Sequence, residues 1–291
     1  MKIDSFFDEQ LAVWDFARQN YEALQAARIK SFSFGNFAVN VQFNPARIVS
    51  SAAKTDANNI ALRPCFLCGH NRPNEQQSIE YLDYEILVNP FPIFRNHFTI
   101  AHKQHQAQQI IKYLPDMLQL ATEFSNYAVF YNGASCGASA PDHLHFQAVP
   151  SDCLPIIADY RRLKNTHAKI LQNSNNLQIY EFTNYFRRVY CLEFGEISNV
   201  RDVLVDFLKQ IDFTNESMLN LICYFDDNKW KLFVFPRRAF RPRQYFSANE
   251  IEKLLVSPAT VELSGVIVTA LEKDFLKITK NDIISIYEQV S

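Results

Sequence analysis

The chain of 291 residues is long enough to bury a large core, as one domain or as two closely packed halves. A hydrophobic fraction of 48% excludes a mainly disordered chain, and a net charge of −2 gives no indication of a nucleic-acid or membrane partner. Residues 1–20 lack a signal-peptide core, no apolar run approaches the roughly 18 residues of a membrane span, and six cysteines are too sparse for a disulfide scaffold. We therefore expect a cytoplasmic protein.

Hydrophobic periodicity divides the first part of the chain into helices and strands. The predicted elements are a helix at 5–28, a strand or hairpin at 31–43, strands at 80–88 and 97–105, a helix at 106–125 and a strand at 127–131. The polar segment 47–63 contains Arg47, Lys54 and Arg63 and is a candidate loop for reaching a ligand.

The second part of the chain repeats a similar order of elements. The predictions are a helix and connection at 156–172, strands at 176–183 and 187–194, a helix at 199–212, a hairpin at 218–236 and a helix at 281–289. The basic run 237–243 either holds a phosphate of the acceptor or substrate, or is a solvated loop. Strands grouped in this way with a few helices are typical of an α+β fold with antiparallel sheets.

The most informative stretch is 132–147, Asn-Gly-Ala-Ser-Cys-Gly-Ala-Ser-Ala-Pro-Asp-His-Leu-His-Phe-Gln. Its glycines and small hydroxyls allow backbone amides to approach an anion closely. Its last residues alternate, so a strand would place His143, His145 and Gln147 on one face. An edge strand with polar residues facing water is the alternative. We favour a ligand site, because the loop and the strand indicate it independently.

Cys65 and Cys68 form a Cys-x-x-Cys turn followed by Gly69. Such a turn supplies half of a tetrahedral zinc site. A redox pair normally has its first cysteine at the start of a helix, and the residues 71–74 that follow do not have a helical pattern. Two buried free cysteines are the remaining alternative.

These motifs resemble a known family. His143-Leu-His145-Phe-Gln147, with Asn132 and the small-residue loop before it, is similar to the catalytic strand of the histidine-triad superfamily. The similarity is greatest to its transferase branch, which contains galactose-1-phosphate uridylyltransferase, diadenosine tetraphosphate phosphorylase and the GDP-hexose phosphorylases. The stretch 97–105 resembles a strand and turn of those proteins that end in a histidine. Residues 258–265 resemble a C-terminal motif of the GDP-hexose phosphorylases.

The resemblance implies a histidine-triad-like fold of two related halves, as in galactose-1-phosphate uridylyltransferase. We expect a catalytic half at 1–165 and a degenerate half at 166–291. It also implies that His145 carries a covalent nucleotide and that Gln147 bonds the phosphoryl oxygens. The expected substrate-binding residues are Asn132, Gly137, Ser139, Arg47 and Arg237.

Two features differ from relatives in this superfamily. Asp142 is an extra residue between Pro141 and His143, where the uridylyltransferases have none. Gln147 stands in place of the third histidine of the hydrolase branch. The glutamine favours transfer of the nucleotide to an acceptor other than water.

Several histidines compete for the other two positions of a zinc site. The resemblance favours His105 and His143 over His97 and His102, which completes a structural site with the two cysteines. A zinc-bound imidazole has donated its lone pair to the metal and cannot also be a nucleophile. Assigning His143 to zinc therefore leaves His145 as the nucleophile.

The expected activity is that of a nucleotidyltransferase, specifically a phosphorylase of a nucleotide sugar or a dinucleoside polyphosphate. One alternative is a hexose-1-phosphate nucleotidyltransferase, which differs only in the acceptor. The other is a non-catalytic nucleotide-binding protein on the same scaffold. The expected partners are the nucleotide substrate and phosphate or a sugar phosphate, without nucleic acid or membrane. The resemblance also implies a homodimer.

Overall fold

The computed structural model of the protein describes residues 3–48, 60, 62–196 and 198–291. Lys54, which belongs to the predicted ligand loop, lies outside the described residues. The described chain has an α+β fold whose strands pair almost entirely in antiparallel fashion. Among its helices, none has the length and apolar character needed to cross a membrane.

The strands form two sheets. They are β1 (Arg28–Ser33), β2 (Ala38–Phe43), β3 (Ser78–Tyr81), β4 (Tyr84–Val88), β5 (Phe98–His102), β6 (Tyr127–Tyr131), β7 (His145–Pro150), β8 (Ala168–Asn173), β9 (Leu177–Phe182), β10 (Tyr190–Phe194), β11 (Leu219–Asp226), β12 (Lys229–Pro236) and β13 (Val266–Thr269). The helices are α1 (Ile3–Val13), α2 (Asp15–Gln25), α3 (Ile110–Glu123), α4 (Pro155–Leu163), α5 (Val200–Gln210), α6 (Arg243–Phe246), α7 (Thr260–Ser264), α8 (Glu272–Lys277) and α9 (Lys280–Val290).

Within the described residues, the larger sheet has ten strands in the order β3-β4-β5-β7-β6-β11-β12-β10-β9-β8. It consists of a first unit, β3–β7, and a second unit, β8–β12, with the same internal order when each is followed from its outer edge. The two units join at the centre, where β6 pairs with β11 and places Phe130 opposite Ile222. The sheet is therefore continuous across both units.

Packing on both faces buries the inner strands of the larger sheet. All five residues of β6 are buried, as are all five of β5 and β10. Helices α1, α3 and α5 contribute to the core on one face. Helices α4, α7 and α9 and the small sheet β1-β2-β13 contribute to the core on the other face. A strand that is covered by apolar layers on both faces typically has mostly apolar residues in its sequence.

Most predicted elements are confirmed, with differences at turns. The helix predicted at 5–28 is two helices, because Trp14 adopts a non-helical ψ of 86 and buries its side chain. The strand predicted at 80–88 is the second part of the hairpin β3–β4, which turns at Leu82 with φ 51. The segment predicted as a helix and connection at 156–172 contains α4 and part of strand β8.

Gly133 allows the two units to approach each other. A Cβ at this position would lie 2.5 Å from the carbonyl oxygen of Ser217 and 2.6 Å from that of Leu219, both next to β11 or within it. Backbone oxygens at these positions have no freedom to move aside. The glycine is therefore required for packing between the units.

We expect Gly133→Ala to lower the free energy of unfolding by about 2–3 kcal/mol, because the added methyl group overlaps two backbone oxygens. Gly195→Ala is the control, since its Cβ would meet only the Asn228 oxygen at 4.0 Å. The free energy of unfolding of Gly195→Ala should differ from that of the unaltered chain by no more than about 0.5 kcal/mol. Urea unfolding followed by circular dichroism measures both, and equal stability of the two variants would contradict the packing argument.

Candidate active site

A cavity of about 600 Å³ opens on the face of the first unit that carries His145 and Gln147. Its floor is formed by strand residues including Thr99 and Phe130, and its walls by the loop 132–141 and the C-terminal segment 257–262. Trp14, Phe16 and Phe91 add an aromatic wall. This volume is within the range of cavities that enclose a nucleotide-sized ligand.

His145 begins strand β7 and is 4% exposed. Its Nδ1 lies 2.8 Å from the backbone carbonyl of His143. A carbonyl oxygen only accepts, so Nδ1 carries the proton and Nε2 carries the lone pair. Burial lowers the pKa of His145 to about 4. The ring is therefore neutral near pH 7, with an unprotonated Nε2.

Gln147 lies two residues further along the same face and also lines the cavity. Its Oε1 is 2.9 Å from Nε2 of His97, at the start of the neighbouring strand. Burial, together with the charge of Arg47, lowers the pKa of His97 to about 3, so this ring is neutral as well. The amide oxygen of Gln147 is therefore occupied within the protein.

Asn132 is held by residues of the second part of the chain. Its Oδ1 accepts hydrogen bonds from the backbone N–H of Thr260 at 3.0 Å and from Asn220 Nδ2 at 3.2 Å, and the Thr260 hydroxyl, which is shared with the Tyr131 carbonyl, lies 2.6 Å away. A backbone N–H can only donate, which identifies the atom facing it as the oxygen. What Asn132 presents to the cavity is therefore its NH₂ group.

The small-residue loop contributes Gly137 and Ser139 to the cavity wall. Gly137 has φ +127, a conformation that favours glycine, and a Cβ there would lie 2.5 Å from that of Ala259. Ser139 is exposed. The structure thus brings both predicted residues to the cavity, and Gly137 also permits close packing of the C-terminal segment.

Three arginines line the cavity. Arg47 donates to the carbonyl of Phe91 at 2.8 Å, and Arg63 donates to Asp142 at 3.1 Å. Arg241 donates to Ser257 at 2.9 Å. Each side chain is held by one or more such contacts, so the positive charges stand in fixed positions around the cavity.

The structure does not place Arg237, a predicted substrate-binding residue, at the cavity. Arg237 is 3% exposed and does not line the cavity. Its guanidinium donates to Asn220 at 2.7 Å and to backbone carbonyls, among them that of Val290 at 2.9 Å. It ties the end of β12 to the C-terminal helix, and Arg241 in the same basic run reaches the cavity instead.

Cys65, Cys68, His105 and His143 form a cluster whose ligand atoms all lie within 4.8 Å of one another. Nδ1 of His143 is 3.3 Å from Cys65 Sγ and 3.6 Å from Cys68 Sγ, and Nδ1 of His105 is 3.3 Å from Cys68 Sγ. Tetrahedral bonds of about 2.3 Å to sulfur and about 2.0 Å to nitrogen place such atoms about 3.5 Å apart. The cluster therefore has the donor set and spacing to hold a metal ion.

Hydrogen bonds orient the histidines of the cluster. Nε2 of His143 donates to the backbone carbonyl of His102 at 2.7 Å, which leaves Nδ1 as the ligand atom. Asp142 lies 3.7 Å from Nε2 of His105 and also accepts from Arg63. The extra residue Asp142 thus links the cluster to the wall of the cavity. The rival ligands His97 and His102 lie outside the cluster.

Some cavity residues were not found from sequence. Glu262 lies in the wall, and burial raises its pKa, while its Oε2 accepts from the N–H of Ala259 at 2.8 Å. Trp14 and Phe16 reach the cavity from the N-terminal helices. Their periodic spacing is the same as that of core residues, so no local signal distinguished them.

Each of the two parts of the chain matches a known protein family. Residues 6–150 match a domain of unknown function, DUF4922. Residues 162–291 match the GDPGP1-like, C-terminal domain. Among curated protein sequences, none matches this chain significantly.

Solved structures show the same fold. Yeast Ap4A phosphorylase Apa2 is 16% identical, with a TM-score of 0.58 over 94% of this chain and 97% of that one. Its complex with Ap4A is 16% identical, with a TM-score of 0.55 over 93% of this chain and 94% of that one. Its complex with AMP is 17% identical, with a TM-score of 0.56 over 95% and 94%. The chain therefore shares the fold of these solved structures over nearly its whole length.

Proposed function

We propose that the protein is a nucleotide phosphorylase that acts through a nucleotide carried covalently on His145. The observation that carries the proposal is the hydrogen bond between His145 Nδ1 and the carbonyl of His143, at the floor of a cavity lined by three arginines. This bond selects the tautomer of the neutral imidazole that has its lone pair on Nε2. Such a nitrogen is a nucleophile near pH 7.

In the first step, Nε2 of His145 attacks the α-phosphorus of the nucleotide. The bond from that phosphorus to the bridging oxygen breaks, and the leaving group departs as a phosphate ester or polyphosphate. The imidazole becomes cationic while it is bonded to phosphorus, and its Nδ1–H remains bonded to the His143 carbonyl. That carbonyl dipole stabilises the positive charge that develops on the ring.

In the second step, inorganic phosphate attacks the same phosphorus and releases a nucleoside diphosphate, which restores His145. Negative charge on the phosphoryl oxygens must be balanced in both steps. Asn132 and Gln147 offer NH₂ groups, and Arg47, Arg63 and Arg241 supply positive charge from the cavity wall. These groups are fixed before substrate binds, so little reorganisation opposes the reaction.

The substrate class proposed is a nucleotide sugar or a dinucleoside polyphosphate. Support comes from the match to the GDPGP1-like C-terminal domain and from the fold shared with yeast Ap4A phosphorylase, whose complexes contain Ap4A and AMP.

A hexose-1-phosphate nucleotidyltransferase differs only in its acceptor. A non-catalytic nucleotide-binding protein would not require the neutral, oriented His145. Homodimer formation and a cytoplasmic location stay predictions.

We further propose that the metal cluster holds one structural zinc ion. Two thiolates and two imidazoles are the donors that zinc prefers in closed structural sites. With the metal bound, His143 would be fixed, and its carbonyl would hold His145 in place. The role of zinc would therefore be to position the strand and stabilise the fold.

The identity of the acceptor is testable by turnover. We expect nucleoside diphosphate to form from GDP-hexoses or diadenosine tetraphosphate only when inorganic phosphate is present, because phosphate resolves the nucleotidyl-histidine. Chromatography of the products with and without phosphate measures this. Equal turnover in phosphate-free buffer, with only the monophosphate as nucleotide product, would identify a hydrolase instead.

We expect His145→Ala to fold, to keep its metal and to lose turnover by about 10⁴-fold or more, because the covalent nucleophile is missing. Intact-protein mass spectrometry should find an acid-labile nucleotidyl adduct on the unaltered protein and none on this variant. His167→Ala is the control, since His167 bonds Thr166 and lies outside the cavity. Activity of His145→Ala close to that of the unaltered protein would refute the covalent mechanism.

We expect about one zinc ion per chain, and Cys65→Ser should lose the metal and lower the Tm by several degrees, because a structural site contributes folding free energy. His143→Ala should behave in the same way. Cys153→Ser is the control, because this half-buried cysteine lies outside the cluster. Elemental analysis and thermal unfolding measure the effects, and unchanged stability of Cys65→Ser would count against the site.

A further inference from the structure

We infer that His97 is a positioning residue that holds the amide of Gln147 in a single orientation, with its NH₂ group toward the cavity. The inference deepens the proposed function, because the NH₂ group is useful only if phosphoryl oxygens occupy that site. His97 itself does not line the cavity. It acts through Gln147.

The hydrogen bonds around His97 fix its tautomer. The backbone N–H of Ile93 donates to Nδ1 of His97 at 3.3 Å, so Nδ1 carries a lone pair. In a neutral imidazole the proton is then on Nε2, which lies 2.9 Å from Gln147 Oε1. A donor on the ring requires an acceptor on the amide. The chain of bonds therefore starts at a backbone N–H and ends by orienting the amide of Gln147.

The histidine is held rigidly. It is 0% exposed, and the centroid of its ring lies 6.0 Å from the centroid of the Phe130 ring. The Tyr21 hydroxyl donates to the His97 carbonyl at 3.0 Å and accepts from its N–H at 3.3 Å. The N–H of Asn89 donates to the same carbonyl at 2.9 Å. These backbone contacts fix the position of residue 97, whereas the bonds to Ile93 and Gln147 fix the orientation of the ring itself.

The orientation matters because the two ends of a glutamine amide have opposite polarity. With Oε1 bonded to His97, the NH₂ group faces the cavity and stabilises negative phosphoryl oxygens. If the amide turned over, its oxygen would face those oxygens and repel them. A donor fixed in advance contributes more to the transition state than one that must reorient.

A double-mutant cycle tests the inference. With diadenosine tetraphosphate or GDP-glucose as substrate, whichever the unaltered protein turns over faster, Gln147→Ala should lower kcat by about 10²-fold. His97→Phe should lower kcat by about 10-fold or more in the unaltered background, but by less than about 2-fold when combined with Gln147→Ala. KM should change by less than about 3-fold. An equal loss from His97→Phe in both backgrounds would overturn the inference.

A conservative variant separates positioning from packing. His97→Gln keeps an N–H donor near Gln147, so it should recover part of the activity lost in His97→Phe. Tyr21→Phe is the matched control, because it removes the hydroxyl contact with the His97 backbone and leaves the ring untouched. We expect it to lower the Tm and to keep kcat within about 3-fold. A kcat for His97→Gln no higher than for His97→Phe, at equal Tm, would also count against the inference.

A measurement that needs no turnover keeps the two proposals separate. Long-range ¹H–¹⁵N NMR of the ¹⁵N-histidine-labelled protein should find His97 neutral and protonated on Nε2. Protonation on Nδ1 would overturn the inference even if the enzyme is active. A protein with the expected tautomer that neither turns over nucleotides nor forms an adduct would instead refute the proposed function, and with it the positioning role.

Discussion

The backbone carbonyl of His143 connects the two chemical centres of the molecule. The side chain of His143 points to the cysteine sulfurs, and its carbonyl oxygen accepts the Nδ1 proton of His145 at 2.8 Å. A ligand bound at the cluster would therefore restrict the position of the neighbouring His145 side chain. The turn at residues 65–68 and the strand that begins at His145, 80 residues after Cys65, are linked in this way, although the cluster does not line the cavity.

The second unit of the sheet has the same strand order but a different interior. Strand β12 occupies the position that β7 has in the first unit, and it begins with Lys229 and Lys231 instead of histidine. The Lys229 ammonium lies 3.0 Å from Glu193, which also bonds Lys164 at 3.1 Å. Burial alone would raise the pKa of Glu193. Hydrogen bonds from Tyr160 and these lysines nevertheless lower that pKa to about 2. In the second unit this face carries the ion cluster together with buried aromatic residues such as Tyr160 and Phe233.

The sequence predicted the features that depend on local pattern, and it missed those that depend on distant pairing. The Cys-x-x-Cys turn predicted half of the cluster, and the family resemblance selected His105 and His143 from among the histidines for the other half. Arg237 and Arg241 belong to the same basic run, and only tertiary packing shows that the first is buried and the second faces the cavity. The bond between His97 and Gln147 depends on strand register across 50 residues, which periodicity does not reveal.

The fold orients the side-chain amides of Asn132 and Gln147 in the same way. The oxygen of Asn132 is occupied by Thr260 and Asn220, and that of Gln147 by His97. Both side chains are left with NH₂ groups for a ligand, and such donors suit the phosphoryl oxygens of the proposed substrates. Because Thr260 and Asn220 belong to the second part of the chain, that part completes the site even though its own sheet face carries the ion cluster. The two parts of the chain are therefore needed together: one contributes His145 and Gln147 to the cavity, and the other holds the amide of Asn132 in place.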